Sequence, residues 1–181
     1  MARPFPLLSR LLHWLMAAMI LAMLFIGIGM VGSLTDYHWL VSIHKPLGAA
    51  ILVLAAIRLV NRLLNPPPPL PGGMPGWQRL AAHASHWVLY ALMIALPLVG
   101  WAMLSAAPYP VILYGTIELP PILAPSPETF ATLRLLHSVL AFALFATFLL
   151  HLAAALMHAL VYRDGVFESM AAPGRLRNRT G

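Results

Sequence analysis

The sequence predicts an all-α integral membrane protein, a four-helix bundle with both termini in the cytoplasm. Three observations carry that expectation. Hydrophobic residues make up 61% of the chain and charged residues 9%, against roughly half and a quarter in soluble domains. Four apolar stretches are each long enough to cross about 30 Å of hydrocarbon. Basic residues gather at one set of ends of those stretches.

The first stretch covers about residues 11–31 and is too long for the apolar region of a signal peptide. The sequence after it, "IGMVGSLTDYHW", is a poor cleavage site, so it is expected to be a retained span. The second covers about 43–64 and ends at "NPPPPLPGG", a Pro-Gly break that cannot be helical. The third covers about 80–104. The segment "SAAPYPVILYGTIELPPILAPSPE" follows, too broken by proline to span and too apolar to float free, so it is expected to cap the membrane surface. The fourth stretch covers about 130–162. Residues 163–181, which include "GRLRNRTG", are expected to form a basic cytoplasmic tail.

Orientation follows from the cations. Arg3, Arg10, Arg58, Arg62, Arg79, Arg163, Arg175, Arg177 and Arg179 fall on one side, and only Lys45 and Arg134 on the other. The arginine-rich side is the cytoplasmic one by this rule. The net charge of +6 is then a topology signal and not a nucleic-acid footprint. The 181 residues suit one membrane domain. Absence of cysteine excludes disulfides, iron–sulfur clusters and thiolate metal sites, leaving eight His and ten Met as ligand types.

Four histidines pair by depth. His13 lies near the inner face on helix one, and His44 near the outer face on helix two. Helix four starts outside, so His137 is outer and His151 inner. Their fourteen-residue spacing is roughly 21 Å of rise and about 40° short of four whole turns. Both therefore share one helix face, and each has a partner at its own depth. Two stacked His–His couples in a bundle core are what two six-coordinate haems require. A proton relay also uses intramembrane His, but it commonly includes buried Asp or Glu, and the four stretches hold essentially none. His83 and His86 start helix three on the inner side, where one of them is an alternative to His13 or faces propionates, lipid headgroups or a quinone. His158 and His38 remain interfacial or surface residues. Trp14, Trp39, Trp77, Trp87 and Trp101 fit an interfacial belt. Arg58 and Arg62 either bind inner-haem propionates or only obey the charge rule.

The chain resembles the prokaryotic cytochrome b561 family over nearly its whole length. The resemblance is carried by "LLHWLMA", "IHKPLGAAILVLAAIRLVNRL", "LAAHASHWVLYALMIALPLVGW" and "LHSVLAFALFATFLLHLAAALMH". It implies two haem b groups, held by His13 with His151 and by His44 with His137. It also implies the activity of a superoxide oxidase-like branch, with superoxide as outer donor, ubiquinone as membrane acceptor and the bacterial inner membrane as location. Lys45 beside His44, and Arg134 one turn before His137, are candidates to guide superoxide to the outer haem; helix-end anchoring or propionate pairing is the plainer reading. Two rivals stand beside this one: a cytochrome b relay subunit of a dehydrogenase or hydrogenase, and a His-based proton or metal transporter.

Overall fold

The computed structural model describes residues 4–113, 115 and 117–171. Four helices dominate it: α1 (Leu7–Gly32), α2 (Tyr37–Leu64), α3 (Gly76–Ala106) and α4 (Pro127–Met157). All four are long and apolar enough to cross a membrane. Each starts a few residues before the expected span, while the α-helical part of α4 stops at Met157, short of the expected residue 162. α4 runs into a π-helical turn, His158–Tyr162, and a short helix α5, Val166–Ala171, follows.

The helix ends have local causes. α4 starts at Ser126, whose hydroxyl accepts from the Thr129 amide at 3.2 Å, with Pro127 and Glu128 in the first turn. Each supplies what an N-terminus lacks or tolerates. α2 stops at the proline run. Asn65 there donates to the carbonyl and side-chain oxygens of Asn61 at 3.2 and 3.1 Å. Buried Asn61 donates in turn to Ser9 Oγ at 2.7 Å, tying the end of α2 to the start of α1. Pro46 and Pro97 lie inside α2 and α3, and each removes one helical donor.

Close backbone packing joins α1 to α2, α2 to α3 and α3 to α4. Met16, Ile20, Ile51, Ala55, Leu92, Met93, Leu96 and Leu144 form an apolar core between them. Large apolar side chains such as Phe25, Phe142 and Leu150 face outward, as a lipid environment permits.

One end of the bundle is capped. β1 (Val111–Ile112) pairs antiparallel with β2 (Glu118–Leu119), Val111 opposite Leu119. Trp101 Nε1 donates to the Pro120 carbonyl at 2.9 Å. The Ile122 amide donates to Ser105 Oγ at 3.1 Å, and Lys45 Nζ to the Pro110 carbonyl at 3.1 Å. The proline-rich segment is thus a hairpin clamped to α3 and α2.

At the opposite end the two ends of the described chain meet. The Phe5 amide donates to the Ser169 carbonyl at 3.0 Å, and Trp14 Nε1 to the Met170 carbonyl at 3.2 Å. The stretch expected as a tail from residue 163 therefore begins with a helix docked on α1. Residues 172–181, with "GRLRNRTG", and residues 1–3, with Arg3, lie outside the described residues.

Candidate functional site

α4 brings His137 to the capped end and His151 to the terminal end. The His137 ring faces His44 of α2 with centroids 6.2 Å apart and planes at 61°. The His151 ring faces His13 of α1 at 6.3 Å and 58°. Both couples anticipated from depth and spacing are therefore brought together.

The setting of these couples fits a planar metal-bearing group. Close backbone packing runs α1–α2–α3–α4, yet each couple joins α4 to α1 or α2, across the wider gaps of the bundle. A metal–imidazole bond is about 2.0–2.1 Å and a ring nitrogen lies about 1.1 Å from its centroid, so a metal held linearly between two imidazoles sets the centroids roughly 6.3 Å apart. Both couples match that separation. Among the described residues no group of three or more His, Cys, Asp or Glu is placed to hold a metal ion. Two imidazoles alone under-coordinate iron; a haem brings the other four nitrogens in its plane.

Nδ1 of His44 and Nδ1 of His137 are buried with no hydrogen-bond partner among the described residues. Such orphans call for a reason. His137 comes edge-on against α3 because residue 100 is glycine: a Cβ there would stand 3.3 Å from Cε1 and 3.5 Å from Nδ1. With the Nδ1–Cε1 edge turned to α3, Nε2 is the nitrogen left for a ligand.

The terminal-end couple carries more company than the spacing foretold. His86 of α3 lies against His151 with centroids 5.4 Å apart, shorter than a linear metal bridge requires. It packs on the His151 ring, while His13 stands at bridging distance. Arg58 Nη2 sits 2.8 Å from His13 Nδ1. The guanidinium carbons of Arg58 and Arg62 lie 5.7 and 5.9 Å from the centroid of the buried Tyr90 ring. His83 instead donates from Nδ1 to the Arg79 carbonyl one turn back, at 2.6 Å, on the exposed side of α3.

His158, unassigned from sequence, pairs through Nδ1 with Asp164 Oδ2 at 2.7 Å. Asp164 Oδ1 accepts from the Val166 amide at 3.1 Å. One carboxylate thereby fixes the return of the chain and caps α5. No spacing rule pointed to this pair, since residues six apart meet only through the π-helical turn between them.

Lys45 is half-buried, and its ammonium is engaged on the cap at Pro110. Arg134 is exposed on α4 one turn before His137. Both lie near the cap-end couple in the chain, and the Lys45 contact ties α2 to the cap.

The model of the prokaryotic cytochrome b561 family matches residues 4–172. Cytochrome b561 homolog 2 of Escherichia coli (strain K12) is 32% identical over 167 residues, covering 90% of this chain and 88% of that protein. The protein named probable superoxide oxidase CybB in Yersinia pestis is 37% identical over 133 residues, covering 73% and 74%. Cytochrome b561 homolog 1 of Escherichia coli (strain K12) is 30% identical over 132 residues, covering 70% and 72%.

Proposed function

Starting from a chain that belongs to the prokaryotic cytochrome b561 family, and so is a membrane cytochrome b of the electron-transferring kind, we propose that it holds two haem b groups and oxidises superoxide with ubiquinone as acceptor. The observation that carries this reading is the pair of facing imidazole couples, 6.2 and 6.3 Å apart, on α4. In it His13 and His151 hold the inner haem, and His44 and His137 the outer one. Bound haem supplies a one-electron carrier at each depth.

The chain's own residues do the rest. α4 acts as the ruler, since its fourteen-residue step sets the two sites roughly 21 Å apart along the helix axis. Apolar side chains between them, Leu144 and Leu96 among them, keep water out of the path. The terminal end lies in the cytoplasm of a bacterial inner membrane and the cap faces outward, following the arginine distribution. At the outer end Lys45 and Arg134 add positive potential beside His44 and His137, which speeds capture of a small anion and weakens with salt. Each superoxide gives up one electron and leaves as dioxygen. Ubiquinone takes two electrons and two protons to become ubiquinol. The printed name of the Yersinia pestis relative supports the choice of donor.

Stopped-flow mixing of the purified, oxidised protein with superoxide tests the reading. Fast appearance of the reduced-haem spectrum, slowed by added salt, supports it. No reaction with superoxide, together with co-purification of a dehydrogenase, makes the chain a relay subunit instead. A protein without haem sinks both and leaves a His-based transporter.

A further inference from the structure

Arg58 and Arg62 lie one turn apart on α2, and both reach the ring of Tyr90, itself 4% exposed. Two half-buried cations in a transmembrane helix call for an anion. The described protein does not supply one there. α1, α2 and α3 contain no Asp or Glu, and the one acid in α4, Glu128, is in its first turn at the capped end. The single ion pair among the described residues is His158–Asp164.

The contact between Arg58 and His13 adds an independent argument. Arginine has no acceptor, so at 2.8 Å it is His13 Nδ1 that accepts. A neutral imidazole that offers Nδ1 carries its proton on Nε2 and cannot give Nε2 to a metal. For His13 to ligate through Nε2, Arg58 has to leave Nδ1 and find another acceptor.

We propose that Arg58 and Arg62 are the carboxylate anchors of the inner haem, each taking one propionate, and that together they hold that haem's reduction potential up. The inference rests on the haem assignment proposed above. The fork of a guanidinium suits a carboxylate, and both guanidinium groups lie within 6 Å of the Tyr90 ring centroid, at 5.7 and 5.9 Å. Nearby positive charge favours the reduced form, which carries one positive charge fewer. The capped end has no such pair of arginines: Arg134 is exposed there and screened by solvent, and the ammonium of Lys45 is engaged by the Pro110 carbonyl. Both arginines are positioning residues that act on the haem through its carboxylates.

Redox titration of the purified holoprotein, with its haem-to-protein ratio, tests this in Arg58→Gln, Arg62→Gln and Arg58→Lys. The inner component is the one missing from His151→Ala. Each Gln variant is expected to shift the inner reduction equilibrium about tenfold toward the oxidised form, 59 mV for one electron, with the outer haem unmoved as internal control. Arg58→Lys, keeping the charge and losing the fork, is expected to fall between. Unchanged potentials in a two-haem protein, or equal shifts in both haems, overturn the anchors alone. If Arg58→Gln loads no haem, Arg62→Gln decides, since no hydrogen bond joins Arg62 to a proposed ligand. A wild-type protein without the inner haem overturns the haem assignment, and the anchors with it.

Discussion

Replacing Gly100 with alanine separates helix stability from the geometry of the outer site. The added Cβ stands 3.3 Å from His137 Cε1 and 3.5 Å from Nδ1. Comfortable carbon–carbon contact begins at about 3.5 Å, so the imidazole has to retreat by a few tenths of an ångström. A functional constellation tolerates about 0.5 Å of misplacement, which puts Gly100→Ala near the limit. Valine adds two more methyl groups on the same side and exceeds it. Helix propensity pulls the other way, since alanine is favoured over glycine by about 1 kcal/mol in a helix interior. Gly100→Ala is therefore expected to leave thermal stability equal or raised while the outer haem alone shifts in spectrum and potential. Gly100→Val is expected to lose the outer haem and keep the inner one. Redox-resolved difference spectra and a thermal melt on the same preparations measure both effects. An outer haem in Gly100→Val indistinguishable from wild type would refute the assignment of His137 as its ligand against α3.

Three further outcomes follow from the same geometry. Alanine at His44 or His137 should remove the outer haem only, and alanine at His13 or His151 the inner one only, halving the haem-to-protein ratio in each case. The double variant Lys45→Ala, Arg134→Glu should slow reduction by superoxide on the order of tenfold at low salt and flatten the salt dependence; a rate unaffected by either change rules out electrostatic guidance. Asp164→Asn, by weakening both the His158 contact and the α5 cap, should cost about 1–2 kcal/mol locally, read as faster amide exchange over residues 163–171 with the outer haem intact.

Much of the fold was legible because the bilayer imposes coarse rules. Four long apolar runs, a Pro-Gly break and the scarcity of acids lead to four long helices without any contact information. The His137–His151 spacing was equally legible, since both residues lie on one helix and helical geometry alone decides their face and depth. What lay beyond the sequence depends on how one helix is rotated against another. His86 meets His151 only because α3 and α4 pack closely; nothing along α3 distinguishes it from His83, which turns to its own carbonyl. The grip of Arg58 on His13 crosses from α2 to α1, a contact set by how the two helices are rotated against each other. Arg58 and Arg62 at one-turn spacing, in a helix without acids, were the available hint that more than the charge rule is at work. α5 escaped because six residues bury too little to leave a periodic pattern, and it is held in place by donors from Phe5 and Trp14 far away in the chain.

The central claim is that α4 carries two haem sites, each closed by two imidazoles. Low-temperature electron paramagnetic resonance of the oxidised, purified protein, with haem and protein quantified on the same sample, tests it most directly. Two haem b groups per chain, both low-spin as six-coordinate bis-imidazole iron requires, is the predicted result. One haem per chain, or a substantial high-spin signal from five-coordinate iron, would contradict it.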